Sequence, residues 1–533
     1  MNNERRGVFL VAGVLLLSAI LGGIYGPSVR ATSSSADDYQ TALRDFTRVL
    51  DVVQSNYAQP VDTDKAVYQG AIPGMLRMLD PHSSFFDSRQ FALLREDQRG
   101  KYYGVGMVVA PRENHTVVMA PYVGSPAYNA GIRPGDVIMK VDEKSTEGLT
   151  TSEVADLLKG PKGTVVKITV NREGYSDPFV FTVTRDEIPR YSVDLHFLIR
   201  PGIGYLHVTG FQETTDKEVQ DALDQFGSIS GLVLDLRQNP GGLLSEGVGM
   251  ADKFLPKGAV IVSHHGRSSP EKVYRASHGN GGRNYPIVVL VNKGTASAAE
   301  IVAGAIQDHD RGLVVGENTF GKGLVQTVYP LSENTGLALT TAKYYTPSGR
   351  LIQRDYSSVS LYDYYYNRDN GENGGANREV KMTDSGRPVY GGGGINPDVK
   401  VPAIKTNHFQ DTLLQHYAFF NFAKRYLINR HIPKSFEVDD QVMLEFRGFL
   451  TEQKVSWSEA DLAPVNDWIR AGIKSEMFID EFGQIEGLKV RADADPQVQK
   501  ALELLPKAKE LADNARRTIA ERNSARNNPP SNR

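Results

Sequence analysis

The stretch "PIVVLVNKGTASAAEIVAGAIQDH", Pro286 to His309, decides the fold class. Ile287 to Val291 is apolar at every position, which suits a strand buried on both faces of a sheet rather than one with a wet side. A short turn follows, and "AAEIVAGAI" then has helical character. A buried strand feeding a helix is the unit of an α/β sheet. The same alternation surrounds it: "GLVLDLR", "LLSEGVGMADKFL" and "AVIVSHH" upstream, "GLVVGE", "LVQTVYPL" and "GLALTTAKYYTP" downstream. An α/β core is therefore expected over 188–405. Ser297 stands at the seam between the strand and the helix. It is well placed to be an ordinary N-cap. It could also be a nucleophile, which would need a base and two donors for an oxyanion, and no histidine lies close in sequence.

Composition limits the alternatives. A chain of 533 residues is too long for one hydrophobic core, so several domains are expected. Its net charge of −3, with no long Lys/Arg run, argues against a nucleic-acid partner. Zero cysteine excludes disulfides, Cys-ligated zinc and a thiol nucleophile. The eleven histidines include no HExxH, and the adjacent His264 and His265 are read as lying at a strand end. At the N-terminus, Arg5 and Arg6 precede an apolar stretch from Val8 to Tyr25 that ends at Pro27. This predicts a membrane anchor or export signal over 1–30 and an extracytoplasmic location for the rest.

Four further regions flank the core. Leu43, Phe46, Val49, Leu50 and Val53 recur at helical spacing, so a helical domain is expected over 36–98, with Asp80 and Ser83 of "LDPHSSFF" read as caps for its next helix. Short β-rich runs separated by Gly/Pro turns fill 99–187. There, "YYGVGM" and "GSPAYNAGIRPGDVIMKVD" resemble the PDZ family, with Thr151 to Lys159 as its groove helix. The resemblance implies that the loop Tyr103, Gly104, Val105, Gly106 holds the carboxylate of a peptide that joins the sheet edge. A Tyr/Gly/Asn-rich excursion over 355–394 fits neither helix nor strand period. A helical extension is expected over 406–522, with Ser458 and Asp461 as a capping box, and a disordered tail over 523–533.

Two other motifs bear on Ser297. In "GENTFGKGLVQTVYPL", Lys322 is bracketed by Gly321 and Gly323, which lets a lysine that would ordinarily reach into water approach other backbone closely. "LVLDLRQNPGGLL" ends a buried strand in a tight turn with free N–H groups. With "KGTASAAE", these closely resemble the carboxyl-terminal processing peptidases, also called tail-specific proteases. The resemblance runs from about Asp37 to Val401 and takes in "LDPHSSFF", the PDZ-like region, "GYLHVTGFQETT" and "GGINPDV". It implies a crotonase-like α/β peptidase core with Ser297 as nucleophile, Lys322 as general base and Gln326 orienting the lysine. Its oxyanion donors would be the N–H of Ala298 and that of Gly242 or Gly241, which the sequence leaves open, with Gly242 favoured.

Such a dyad needs neither metal nor cofactor, but it does need an altered lysine. At pH 7 an ordinary lysine, pKa about 10.4, is neutral in only about one molecule in 2,500. Lowering that pKa by about 3 units takes on the order of 4 kcal/mol, which burial supplies. Lys322 should therefore be desolvated and unpaired, and Glu300 and Glu317 are the carboxylates that could spoil this. The implied partners are proteins with free C-terminal tails and the membrane through the N-terminal segment. Residues 355–394 and the helical extension leave room for a homo-oligomer contact or an adaptor, though nothing in them specifies one. The competing readings are a catalytically silent PDZ scaffold, which should lack Ser, Lys or the glycine turns, and an acyl-CoA enzyme, which would use carboxylates.

Overall fold

The structure, a computed structural model, describes residues 34–112, 114–366 and 379–527. By contact the chain divides into Met1–Met75 and Leu76–Arg533. In the first unit a helix spans Ser34–Asn56, where the apolar spacing predicts one. Its Leu43, Phe46, Val49 and Val53 nonetheless stay exposed, so the stripe builds no core of its own. The leader over 1–30 lies outside the described residues. Among those described, no helix is long and apolar enough to cross a membrane.

The second unit is built around a parallel sheet. Strands Ile203–Val208, Gly231–Asp235, Ile287–Val291, Leu313–Gly316 and Val399–Lys400 lie side by side in that order, with Val193–Arg200 antiparallel at the outer edge. Every residue of the three strands from Gly231 to Gly316 is buried, as their apolar runs require. Helices Thr215–Phe226, Leu244–Asp252 and Ala298–Asp308 pack one face through Phe226, Met250 and Ile306. The opposite face, Val233, Val288, Leu290 and Val315, is covered by Val498, Ala501, Leu505 and Ala508 of the helix Pro496–Asn527.

That second layer divides the helical extension into two parts. Residues from Phe409 to Phe478 form a separate core around Phe446, Ile469, Ile473 and Met477. The last helix belongs to the α/β core and runs on through Asn527, past the point at which disorder is expected; 528–533 lie outside the described residues. Ser458 does cap a helix, accepting from the Asp461 N–H, but only the short Glu459–Leu462; the long helix begins at Asn466.

"LDPHSSFF" departs from its expected role. Ser84–Phe86 is a strand of a second sheet, paired with Gly336–Tyr345, whose other edge carries Leu324–Pro330. Asp80 caps no helix. Its carboxylate accepts from the N–H groups of His82 and Ser83, both at 2.8 Å, and from Ser83 Oγ at 2.8 Å, closing a tight loop. The following helix, Ser88–Arg99, is capped by Asp87 in a capping box with Gln90. His264 and His265 lie in the strand Val260–Gly266 of the same second sheet.

The β-rich region forms a sheet ordered Met107–Arg112, His115–Pro121, Val137–Val141, Val165–Asn171, Phe179–Thr184. Val166, Ile168 and Val170 point inward while their neighbours face out, the period-two pattern of a half-buried strand. Met107–Arg112 is an edge strand, and the helix Thr151–Leu158 begins at the capping residue Thr150. In the excursion, the described residues form a helix Leu361–Tyr365 and a hairpin of Val380–Met382 with Pro388–Tyr390.

Candidate active site

Two parallel strands end in turns that are stitched to each other. Asn292 Oδ1 accepts from Gln238 N at 2.9 Å, Thr295 Oγ1 donates to Leu236 O at 2.8 Å, and Ala296 N to Asn239 O at 2.8 Å. Ser297 follows with φ 54° and ψ −116°, a conformation that costs a non-glycine residue about 1–3 kcal/mol. It therefore precedes the helix as a cap would, but without the extended backbone of an ordinary N-cap.

The neighbouring turn is held by Asn239, which is fully buried. Its Nδ2 donates to Val208 O at 2.8 Å, and its Oδ1 accepts from Gly241 N at 2.9 Å. Gly241 has φ +93°, and a Cβ there would lie 2.7 Å from both Ala296 O and Ser297 Cβ. Only glycine lets the two turns touch. Among the described residues the N–H groups of Gly242 and Ala298 have no hydrogen-bond partner, whereas that of Gly241 is committed to Asn239. Upstream, Arg237 forks onto Asp235 and donates to Asp495 Oδ2 and Gln497 Oε1, both at 2.7 Å, at the start of the last helix.

Lys322 sits in a turn assembled from more distant pieces. A Cβ at Gly323 would lie 2.8 Å from Gln353 N, so the flanking glycine does permit the close approach expected of it. Gly323 N donates to Gln353 Oε1 at 2.8 Å, and Arg354 N to Gly321 O at 2.9 Å. Lys322 Nζ donates to Gln326 Oε1 at 3.0 Å, and Gln326 Nε2 donates to the His82 carbonyl. Lys322 forms no ion pair among the described residues. Burial holds its ammonium below the ordinary lysine range, against the opposing charges of Glu300 and Asp80.

Glu300 ties the serine and lysine turns together. Its fully buried carboxylate accepts from Ser297 N at 2.9 Å, Gly321 N at 2.7 Å, Lys322 N at 2.9 Å and Thr319 Oγ1. It thus takes the backbone of Lys322, not its ammonium. Burial pushes its carboxyl up to about 7 while those four donors pull the other way. The buried Tyr344 hydroxyl adds a second tie, reaching Ser297 O at 3.1 Å and also Lys322 O.

Ser297, Lys322, Gln326, Gly241, Gly242 and Ala298 all line one cavity of about 950 Å³, whose apolar wall includes Phe86, Phe211, Ile301, Leu324 and Ala338. With the geometry in view, the comparisons with known proteins are direct. Residues 202–358 match peptidase family S41, 117–172 a PDZ domain, and 409–461 the C-terminal helical domain of a probable PDZ-protease. The carboxy-terminal-processing protease of Bartonella bacilliformis is 38% identical over 358 residues, 66% of this chain and 80% of the relative. The carboxy-terminal processing protease of Bacillus subtilis is 35% identical over 349 residues, 64% of this chain and 74% of the relative. This chain belongs to the carboxy-terminal-processing protease family. It is a serine-type peptidase with a PDZ domain. The solved photosystem II D1 C-terminal processing protease is 30% identical, covering 65% of this chain and 84% of that one, with a TM-score of 0.34.

In this protease Tyr103, Gly104, Val105 and Gly106, the residues expected to hold a peptide carboxylate, lie away from the cavity wall. Tyr103 and Gly104 belong to the strand Lys101–Gly104, laddered to Asp186–Pro189. Val105 and Gly106 follow as the turn into the edge strand, and their N–H groups have no partner among the described residues. Gly106 O is fixed by Ser125 Oγ at 2.7 Å. Sequence reasoning gave no role to Asn239, Gln353, Tyr344 or Tyr364. His82 was visible only as part of "LDPHSSFF", with nothing to indicate that its carbonyl would meet Gln326.

Proposed function

We propose that the protease cleaves protein substrates near their C-termini through an acyl-enzyme on Ser297, with Lys322 as general base. The observation that carries this reading is the cavity shared by Ser297 and a half-buried Lys322, which has no ion-pair partner among the described residues and whose Nζ is aimed by Gln326. The neutral amine takes the Ser297 Oγ proton as the oxygen attacks the scissile carbonyl. The oxyanion settles on the N–H groups of Gly242 and Ala298; Gly241 is set aside because its N–H is already bonded to Asn239. The Lys322 ammonium then protonates the departing amine, and water, activated by the same lysine, releases the acyl group.

Residues 99–187 form the tail-binding module in this reading. The free N–H groups of Val105 and Gly106, beside an unpaired strand edge, suit a peptide carboxylate with its chain added to the sheet. Residues 188–405, completed by the helix Pro496–Asn527, form the peptidase module. The leader, with Arg5 and Arg6 before its apolar run, exports or tethers the protein outside the cytoplasm. The test is cleavage of an unfolded protein with an apolar C-terminal tail. Ser297→Ala and Lys322→Ala should each lose about 10³-fold or more in kcat, and amidating the tail should lower kcat/KM. Retained cleavage in either variant overturns the dyad, and equal rates for free and amidated tails overturn the PDZ role.

A further inference from the structure

Tyr364 comes from the Tyr-rich excursion, yet it is 1% exposed and lies behind the lysine turn. Its side chain packs in a small apolar cluster with Ala296, the residue before Ser297, and Phe320. Its hydroxyl lies 2.9 Å from His82 Nε2 and accepts from Gln353 Nε2 at 3.1 Å. From that one oxygen, two chains of hydrogen bonds run to opposite sides of Lys322. One passes through Gln353, whose Oε1 holds the Gly323 N–H at 2.8 Å. The other passes through His82, whose carbonyl holds Gln326 Nε2, while Gln326 Oε1 holds Lys322 Nζ at 3.0 Å.

We infer that Tyr364 is a positioning residue for the reaction, closing a ring of hydrogen bonds that fixes both the backbone and the ammonium end of Lys322. The inference rests on Lys322 being the base. Burial keeps the Tyr364 phenol protonated, and burial with the nearby Lys322 charge keeps His82 neutral, at a pKa lowered to about 4. Either neutral tautomer of His82 keeps the 2.9 Å contact: Nε2 accepts from the phenol, or its N–H donates to the phenol oxygen. Its ring is clamped as well: the Arg354 guanidinium lies 4.5 Å from the ring centroid and donates to the Tyr364 carbonyl. Gln326 alone cannot fix its own amide, since its Nε2 needs the His82 carbonyl held in place. The Asp80 loop fixes that carbonyl from one side and Tyr364 from the other.

Tyr364→Phe keeps the ring and removes the hydroxyl. It should lower kcat about tenfold with KM within twofold of the parent, while the melting temperature falls by only the few degrees that one lost buried hydroxyl costs. Tyr366→Phe, just past the end of the same short helix and exposed, should leave kcat unchanged. Because one arm acts through Gln326, adding Tyr364→Phe to Gln326→Ala should cost less than about threefold more. Parental kcat for Tyr364→Phe, or losses that multiply in the double variant, would overturn the inference. If Lys322→Ala is inactive while Tyr364→Phe is fully active, only this inference falls; if Lys322→Ala is active, the dyad itself falls.

Discussion

The serine turn and the lysine turn meet in one cavity but are built in opposite ways. Ser297 is held by elements that are already buried: a strand, the helix it feeds, and the adjacent strand's glycine turn. Lys322 stands on no helix of its own. Beyond Glu300 and Tyr344, its place depends on Gln353, the Asp80 to His82 loop and Tyr364, all distant in sequence. On the proposed mechanism, the nucleophile is thus a property of the parallel sheet, and the base is a property of loops docked onto it. The difference is functional, because a lysine acts as a base only while its surroundings keep it dry and unpaired.

Gly241→Ala should produce the largest failure on the serine side. Its Cβ would collide with the Ala296 carbonyl and with Ser297 itself, separating the two turns. We expect kcat to fall about 10²- to 10³-fold with KM little changed, measured on folded protein. Glu300→Gln tests the tie between the turns. Each carboxylate oxygen takes two donors, so the amide places an NH₂ group against two of them; kcat should fall about 10- to 100-fold.

The same variant carries a pH signature. Burial disfavours the Lys322 ammonium, so kcat/KM should rise with pH through a lowered lysine pKa and level off below the ordinary value of about 10.4. Glu300 opposes that lowering, so removing its charge should move the acid limb to still lower pH. A limb that stays put or moves up would refute the assignment. Asp495→Asn is the mildest change. It weakens one support of Arg237 while Asp235 remains, so stability should drop by about 1 kcal/mol with kcat within twofold, read by thermal unfolding and steady-state kinetics.

The contrast also explains how far the sequence could be read. The serine side lies in consecutive residues: the apolar run Ile287–Val291, Ser297 and the helix after it follow local rules of period and turn chemistry. "NPGG" is legible for the same reason, since two glycines mark a close approach. Lys322 could be recognised from its glycines and from the family resemblance. Its supports could not, because a hydrogen bond between Gln326 and the carbonyl of a residue 244 positions away leaves no local pattern. The excursion concealed Tyr364 for a related reason: one buried tyrosine among several exposed ones has no period. Likewise the exposed stripe at Leu43 to Val53 reads as core-forming, since spacing reports which face is apolar but not what will cover it.

The helix Pro496–Asn527 has a consequence in time. It supplies the layer that covers Val233, Val288 and Leu290, on the reverse of the strands that carry both serine-side turns. Until synthesis has passed Ala508, that sheet has one bare apolar face, and Arg237 lacks its partners Asp495 and Gln497. A nascent chain therefore holds Ser297, Lys322 and the glycine turns well before the residues that cover their sheet are made. A chain truncated before Pro496 is therefore expected to lose cleavage while retaining Ser297, Lys322 and both glycine turns, as the assay on the unfolded substrate would show.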